Sequence, residues 1–253
     1  MEYNNELEHR ERLDVEMMRR GLTRSRSSAN DLILRKKVSV NKKIVTKPST
    51  KIISSDQIFI NSLENFVSRA GEKLNHALKT FKINVFDLEV VDIGSSTGGF
   101  TDCLLKNGAK KIIAIDVGTD QMVSELKKDP RVEIFEGTNV RTFKLPHHVD
   151  MVAIDVSFIS LALILPRAYE FLKPEGFVIA LVKPQFEVGM EIAKKFKGVI
   201  TDEKQQKLVL ENIKSVSEKI GFQIIDETLS PITGEKGNRE FLLFLQKTEI
   251  KKR

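Results

Sequence analysis

The sequence predicts an α/β fold in which a small N-terminal domain precedes a larger domain with a mostly parallel, seven-stranded sheet. From residue 72 onward, apolar runs of strand length alternate with segments of helical periodicity. Nearly continuous apolar strands are typical of a parallel sheet that helices cover on both faces. The last two runs lie close together, which predicts an antiparallel strand at one edge. The runs are EVVDIGSS, KIIAIDVG, VEIFEGT, DMVAIDVSF, GFVIALVKP, GFQIIDETL and NREFLLFLQ.

The N-terminal domain is expected to span residues 10–60 and to combine two helices with a few short strands. The helices are predicted at 11–22 and at 25–37. The segment VSVNKKIV (38–45) predicts a hairpin that turns at Asn41-Lys42, and QIFI (57–60) predicts a further strand. We expect residues 61–66 to form a linker and residues 67–248 to form the second domain. Its helices are predicted within GEKLNHALKTF, within GGFTDCLLKNGA, at 161–172 and at 203–219.

Positive charge is concentrated near the N-terminal end of the chain. Of 253 residues, 41 are Lys or Arg and 35 are Asp or Glu, which gives a net charge of +6. Residues 19–51 contain 11 basic side chains and a single acid, Asp31. Clustered cations bind the phosphates of a polyanion, so this segment indicates nucleic-acid binding. A solvated basic face without a ligand is the simpler alternative.

Several classes of protein are not expected from the composition. No stretch of about 18 or more apolar residues occurs, so no membrane-spanning helix is expected. The polar N-terminus does not resemble a signal peptide, and the single cysteine, Cys103, cannot form an internal disulfide. Both observations favour the reducing cytoplasm. The histidines lack the spacing of metal ligands, and we expect no metal. They are His9, His76, His147 and His148.

A glycine-rich loop, DIGSSTGGF (92–100), joins the first strand of the large domain to a helix. Ligands of doubly wound sheets lie beyond the carboxyl ends of the strands, where glycines allow a close approach of the backbone. The spacing is neither G-x-G-x-x-G nor that of a P-loop. The second strand ends in Asp116, whose carboxylate suits the hydroxyls of a ribose. This combination favours S-adenosylmethionine. An NAD-linked enzyme and an ordinary tight turn are the alternatives.

Four charged residues are predicted at one rim of the large domain. Lys73 opens a helix, Asp155 and Lys183 end two very apolar strands, and Glu240 enters the last strand. A charge next to a buried strand is costly unless it has a partner, although a side chain at a strand tip can also simply reach solvent. A lysine can remove the proton of a sugar 2′-hydroxyl when burial and a second cation lower the lysine pKa. Methylation of a ribose is therefore the chemistry that this set favours.

Long segments of the sequence resemble one known family, the TlyA-type ribosomal RNA 2′-O-methyltransferases, also called hemolysin A-like. The matching segments are RLDVEMMRRGLTRSRSSA, FVSRAGEKL, VVDIGSSTGGFTDCLL, IAIDVGTDQM, TNVR, IDVSFISL, LVKPQFEVG and SPITGEKGNREFLLFL. The resemblance implies an αL RNA-binding domain followed by a Rossmann-like, FtsJ-like S-adenosylmethionine-dependent methyltransferase domain. One segment departs from the family pattern. KKFKGVITDEKQQ (194–206) lacks the histidine of the family's Asp-Pro-x-x-His stretch, which puts the local contacts there in doubt.

The resemblance also implies roles for individual residues. The catalytic tetrad would be Lys73, Asp155, Lys183 and Glu240, with Lys183 as the general base. The cofactor contacts would be Gly94, Ser95, Ser96, Thr97, Gly98, Gly99, Phe100, Asp116, Asn139 and Asp155. The family's RNA-binding arginines match Arg12 and Arg26, and the charge pattern adds Arg20, Arg24, Lys36 and Lys37.

The function that we expect is S-adenosylmethionine-dependent methylation of a ribose 2′-hydroxyl. The resemblance implies a cytidine of ribosomal RNA as the target and ribosomal subunits as partners, with no membrane partner. A monomer is favoured. A base methyltransferase is less favoured because IDVSF offers neither an Asn/Asp-Pro-Pro-Tyr-type motif nor a catalytic cysteine. A cytolysin, as the older family label suggests, and a non-catalytic RNA-binding or ribosome-assembly factor remain alternatives.

Overall fold

The computed structural model shows two compact units, Met1–Glu64 and Asn65–Arg253. It describes residues 10–23, 25–34, 36–60, 66–189, 194, 196, 198–234 and 236–248, without the side chains of Ser27 and Asp31. Most of the predicted linker, 61–65, lies outside the described residues. Its last residue, Phe66, is only 7% exposed and packs in the core of the second unit. No helix in the described ranges has the length and apolar character needed to cross a bilayer.

Two short helices and five very short strands form the first unit. They are β1 (Glu11–Arg12), α1 (Leu13–Arg19), α2 (Arg26–Leu34), β2 (Val38–Val40), β3 (Lys43–Ile44), β4 (Lys51–Ile52) and β5 (Ile58–Ile60). β2 lies between β3 and β5, and β1 pairs with β4. Both helices are shorter than the sequence predicts. Gly21, with φ of +69°, lies just beyond α1, and Lys36, with φ of +60°, lies just beyond α2. Neither backbone conformation can continue a right-handed helix.

The predicted hairpin is present between β2 and β3. Asn41 and Lys42 have φ of +49° and +68°, as a two-residue hairpin turn with the twist of its strands requires. The Asn41 amide donates to Asp56 at 2.6 Å and accepts from the backbone N–H of Gln57 at 2.9 Å. Asn tolerates positive φ, and these side-chain bonds fix the turn against the next strand.

Two buried carboxylates organise the arginines of the first unit. Asp14 is fully buried and accepts hydrogen bonds from Arg12, at 2.9 and 3.0 Å, and from Arg26, at 3.1 Å. The Arg12 guanidinium, more than that of Arg26, holds the pKa of Asp14 below its ordinary value. Glu16 accepts from Arg20 at 2.6 Å, and Arg20 also donates to backbone carbonyls beyond β4. Three arginines predicted to bind RNA therefore also hold this unit together.

The second unit contains the seven-stranded sheet and most of the helices. Its strands are β6 (Glu89–Ile93), β7 (Lys111–Ile115), β8 (Val132–Phe135), β9 (Val149–Ile154), β10 (Leu172–Val182), β11 (Phe222–Leu229) and β12 (Phe241–Lys247). Its helices are α3 (Ala70–Thr80), α4 (Gly99–Lys106), α5 (Ser124–Lys127), α6 (Leu165–Phe171), α7 (Pro184–Glu187) and α8 (Glu203–Ile220), with a 3₁₀ helix at Leu161–Leu163. The short α5 and α7 were not predicted from the sequence.

The sheet order is β11-β12-β10-β9-β6-β7-β8. Strands β6 to β10 are parallel, whereas β12 runs antiparallel to β10 and β11 completes an antiparallel edge. This confirms the predicted mostly parallel sheet. Alternate residues of one strand enter two separate cores, as Val152 and Met151 of β9 do. Burial on both faces is the reason that these strands read as unbroken apolar runs.

We predict that Asp14→Ala destabilises the first unit by about 1.5–3 kcal/mol, because a buried acceptor of charge-assisted hydrogen bonds is lost. Hydrogen exchange with mass spectrometry should show faster exchange of amides within 10–60 and unchanged exchange within 66–248. The exposed acid in Asp226→Ala is the matched control and should leave 10–60 unaffected. Unaltered protection of α1 in Asp14→Ala would contradict a structural role for this cluster.

Candidate active site

The carboxyl ends of three neighbouring strands lie at one level of the sheet. Ile93 of β6 pairs in register with Ile115 of β7 on one side and with Ile154 of β9 on the other. The residues that follow these three are Gly94, Asp116 and Asp155. From β6 the chain runs outward to β7 and β8 and then crosses back to β9 on the other side of β6. Because the strand order reverses there, a cleft between β6 and β9 is the expected ligand site of a doubly wound fold.

Glycines shape the loop between β6 and α4. Gly94 has φ of +84°, and a Cβ atom there would lie 2.5 Å from the carbonyl oxygen of Asp155. Gly98 has φ of +98°, and a Cβ atom there would lie 2.2 Å from Leu126. Only glycine fits either position without displacing the backbone or its neighbour. Gly94 lines the cleft, whereas Gly98 lies against the side chain of Leu126.

Two adjoining cavities are bounded by this loop. The larger, about 450 Å³, reaches from Gly94 and Ser96 past Asp116 to Asn139 and Asp155. Its other walls are largely apolar and include Ile115, Val117, Val140, Phe158 and Ile164. The smaller, about 150 Å³, is lined by Ser95, Thr97, Gly99, Phe100 and Lys183, among others. Apart from Gly98, every predicted cofactor residue therefore lines one of the two cavities.

The Asp116 carboxylate of the larger cavity is held in a fixed orientation. The two carboxylate oxygens of Asp116 accept from the backbone N–H groups of Ser96, at 2.8 Å, and Gly118, at 2.7 Å. Each oxygen keeps a second lone pair, so the fixed carboxylate can still accept from ribose hydroxyls. In the loop, the buried hydroxyl of Ser95 has no hydrogen-bond partner among the described residues. The cleft thus fits the nucleoside and polar tail of S-adenosylmethionine.

Lys183 and Asp155 form an ion pair between adjacent strand ends. The Lys183 ammonium lies 2.6 Å from Oδ1 of Asp155, at an angle outside that of a hydrogen bond, and donates to the hydroxyl of Ser157 at 2.9 Å. Lys183 is 9% exposed. The carboxylate compensates the cost of burying the ammonium, and the hydroxyl fixes its direction.

Lys73 and Glu240 form a second buried pair. The Lys73 ammonium, in the first turn of α3, donates to Oε2 of Glu240 at 2.5 Å. The other carboxylate oxygen accepts a long hydrogen bond, 3.5 Å, from the amide of Gln185. Glu240 directly precedes Phe241, which pairs with Val182 across β10 and β12. Lys183 follows Val182 and Glu240 precedes Phe241, so both charged residues lie next to the same residue pair at the end of the two strands.

All four predicted catalytic residues line a third cavity of about 360 Å³, beside the cofactor cleft. Asp155, Ser157 and Phe158 border both spaces, and Lys183 faces both the smaller cofactor cavity and this one. Sequence reasoning missed several further lining residues, although most lie within the quoted family segments. They include Arg69, Ser157, Phe158, Gln185, Phe186, Lys236 and Asn238.

The departure from the family pattern at 194–206 falls beside this third cavity. Gln206, which occupies the position of the family's histidine, is buried and donates to the carbonyl of Ile200 at 2.7 Å. Asn238 accepts from the N–H of Ile200 at 2.8 Å and donates to the carbonyl of Gly198 at 2.9 Å. Two neutral side-chain amides therefore hold this loop.

Two buried groups near the loop have raised pKa values. Desolvation raises the pKa of Asp92 to about 7, against hydrogen bonding from Thr101 at 2.6 Å, with smaller contributions from the charges of Asp155 and Asp116. Burial raises the pKa of Cys103 to about 12, which agrees with its predicted place in the core rather than as a nucleophile. Within the described ranges, no cluster of three or more His, Cys, Asp or Glu side chains could hold a metal.

Comparison with protein families matches both units. The family described as FtsJ-like methyltransferase matches residues 66–247, and the S4 domain family matches residues 11–58. The first match covers most of the second unit, including all four residues of the paired charges. The second covers the basic N-terminal unit.

Individual relatives align over nearly the whole chain. A candidate rRNA methyltransferase of Bacillus subtilis, YqxC, is 44% identical over 93% of this chain and 85% of its own length. The 16S/23S rRNA (cytidine-2′-O)-methyltransferase TlyA of Mycobacterium tuberculosis is 37% identical over 94% and 90%. A solved structure, a hemolysin candidate from Streptococcus thermophilus, superposes with a TM-score of 0.76 at 39% identity, covering 96% of this chain and 90% of that one.

We predict that Asp92→Asn removes part of the pH dependence of stability. The folded-state pKa of about 7 exceeds the ordinary value of 3.8, so native Asp92 lowers stability progressively as pH rises from about 4 to about 7. Asn still accepts from Thr101 but does not titrate. Urea denaturation at several pH values should show the variant gaining stability relative to the native protein as pH rises. Parallel curves would mean that Asp92 ionises normally.

Proposed function

Because this chain belongs to the TlyA-type branch of the FtsJ-like methyltransferase family, we propose that it methylates a ribose 2′-hydroxyl of ribosomal RNA with S-adenosylmethionine as donor. The observation that carries this proposal is the convergence of two buried Lys–carboxylate pairs on one cavity beside the cofactor cleft. S-adenosylmethionine supplies a methyl group on a positively charged sulfur. The neutral 2′-hydroxyl is a poor nucleophile, so the protein must remove its proton.

The cofactor residues bind and orient. Asp116 would accept from the ribose hydroxyls of the donor, and Gly94 would let the backbone lie close to it. Asn139 and the apolar walls of the larger cavity would hold its adenine. The small cavity, which Lys183 also lines, would leave space for the donor next to the acceptor. In-line transfer depends mainly on such positioning.

Lys183, as a neutral amine, would accept the hydroxyl proton while the new oxygen–carbon bond forms. The sulfur–carbon bond of the donor would break in the same step, and S-adenosylhomocysteine would leave. Asp155 then balances the charge of the ammonium, and Ser157 keeps the lysine directed at the cavity. Lys73 is a second cation beside the acceptor space, and Glu240 holds it there.

The S4 domain and the names of the relatives support RNA as the acceptor. The relative TlyA proteins of Mycobacterium tuberculosis and Campylobacter jejuni are both named rRNA (cytidine-2′-O)-methyltransferases. We propose a cytidine in ribosomal RNA as the target here. Arg12 and Arg26 remain available to phosphates at their exposed edges although they bond Asp14. Lys36, exposed, and Lys37, partly exposed, extend this basic surface, while Arg24 lies outside the described residues.

The site favours this reaction over the alternatives weighed from the sequence. A relic fold in a pure binding protein would not need buried lysines that face an open cavity, because unused buried charges are destabilising. The related Hemolysin A of Brachyspira hyodysenteriae, 42% identical over 91% of this chain and 98% of its own length, bears the name of a lytic activity. The paired lysines do not explain a lytic activity, whereas they do explain the removal of a proton from an acceptor hydroxyl.

We predict that Lys183→Ala lowers methyl transfer to ribosomal RNA by about 10²–10⁴-fold, the usual contribution of a general base. Binding of the cofactor product S-adenosylhomocysteine, measured by calorimetry, should stay within a few-fold of the native value. Lys219→Ala is the matched control, because Lys219 lies on the exposed face of α8. Full activity of Lys183→Ala, with 2′-O-methyl sites mapped on the RNA, would remove this lysine from the mechanism.

We predict that Lys36→Gln combined with Lys37→Gln weakens RNA binding and flattens its salt dependence. Loss of two phosphate contacts should reduce the slope of log K against log salt by about 1.4–1.8. Lys110→Gln combined with Lys128→Gln, which precede β7 and β8, removes the same charge elsewhere. Filter binding across a salt series tests both pairs. Equal slopes in the two double variants would place the phosphate contacts outside Lys36 and Lys37.

A further inference from the structure

The segment Asp155–Ser160, here named the β9 loop, contains Asp155 and Ser157, the two residues that contact the proposed base Lys183. It begins with Asp155, continues through Ser157, and ends at the 3₁₀ helix. Its first residue is fixed, because the Asp155 N–H donates to the carbonyl of Ile93 at 2.9 Å. In its middle, Val156 and Ile159 pack against the core, but Phe158 between them does not. Phe158 is 90% exposed and has φ of +64°, a strained backbone conformation for a bulky side chain.

Glu187, the last residue of α7, holds the far end of this loop. Its Oε2 accepts from the Ser160 hydroxyl at 2.6 Å, and its Oε1 accepts from the Leu161 N–H at 2.9 Å. The Ser160 hydroxyl in turn accepts from the N–H of Ala162 at 3.1 Å. Both carboxylate oxygens and the first turn of the 3₁₀ helix are thus engaged in one cluster.

The position of Glu187 links this cluster to the base. Glu187 lies four residues after Lys183, and α7 between them is a single turn that begins with Pro184. The Phe186 ring lies 4.9 Å from the ring of Phe158, centre to centre. The same turn that follows the base therefore contacts the β9 loop at its middle and at its end.

The environment of Glu187 shows that the contact is costly to keep. The carboxylate bonds to neutral donors, a hydroxyl and an amide, and burial raises its pKa above the ordinary value. Glu187 is half-buried, and a carboxylate that is partly removed from water with only neutral donors as partners gains little net stability. The main effect of its two hydrogen bonds is therefore to fix the positions of Ser160 and Leu161.

We propose that Glu187 is a positioning residue that holds the β9 loop against Lys183, so that Asp155 and Ser157 stay on the ammonium group. The proposal rests on the function proposed above. Without Glu187, the far end of the loop loses both hydrogen bonds that hold it to α7, and the packing of Val156 and Ile159 and the Phe158–Phe186 contact must fix the loop instead. We expect Asp155 and Ser157 then to shift relative to the base. The residue touches neither reacting group and acts through the two that do.

Activity assays test the proposal with three variants at one position. Glu187→Ala should lower kcat by roughly tenfold to a hundredfold, because small misplacements of catalytic groups have effects of that size. Glu187→Gln keeps an acceptor for Leu161 and an N–H donor for the Ser160 oxygen, and should restore kcat to within about threefold. Glu187→Asp, one methylene too short, serves as the test variant if the alanine variant does not fold. Glu218→Ala, an exposed glutamate of α8, is the matched control.

Stability is separated from positioning by the assay temperature. Each variant is assayed well below its own unfolding midpoint, where the folded fraction is close to one. A purely structural role for Glu187 would then lower the midpoint and leave kcat unchanged, which would overturn the proposal. A fall in kcat that Gln reverses would support it.

A second readout does not depend on methyl transfer. The chain contains no tryptophan, so Phe158→Trp places a single tryptophan in the β9 loop. Adding Glu187→Ala to this background should change the emission maximum and the quenching by acrylamide, and adding Glu187→Gln should not. Identical emission with and without Glu187 would overturn the proposal. Native protein that is inactive on ribosomal RNA would refute the proposed function, while the tryptophan comparison would still decide whether Glu187 fixes the loop.

Discussion

The ion pair between Lys183 and Asp155 is the interaction on which the site depends. It joins the ends of β9 and β10, and it forms because the parallel register sets both strand ends at the mouth of the same cleft. Parallel strands emerge from a buried sheet with their last side chains close together, without any loop to place them. The sheet thus provides the rigid support, and the polar residues provide the chemistry.

The buried charges of the site are compensated locally. Lys73 and Glu240 neutralise each other, Lys183 is matched by Asp155, and the raised pKa of Asp92, about 7, lets that carboxyl stay largely protonated in acidic solution. The first unit follows the same rule, with Asp14 between two arginines. In each case the pairing orients a cation that would be mobile if it were exposed, and orientation is what phosphate binding and proton transfer require.

Local patterns predicted the elements well and their limits less well. The Asn41-Lys42 turn, the glycine loop and the apolar runs that form the strands follow from short-range chemistry, and the structure has all of them. The predicted helices of the first unit extend too far, because residues with positive φ lie just beyond their ends. The predicted linker includes Phe66, which is buried, because a local polarity pattern does not show what one aromatic side chain packs against. The side chains of Gln206 and Asn238 both hydrogen-bond to the segment 198–200, although the two residues lie 32 positions apart along the chain. No pattern in the sequence indicated these hydrogen bonds.

The sequence by itself determined the two-part organisation, the α/β class and the residue types of the site, because periodicity, charge clusters and motifs are properties of short segments. The tertiary structure alone decided which of these residues meet. Lys73 and Glu240 are 167 positions apart and touch only because β12 inserts antiparallel beside β10. The contact of Glu187 with Ser160 likewise depends on the adjacency of β9 and β10. Such contacts follow from strand order and register, which short segments do not encode because they arise when the whole sheet is assembled.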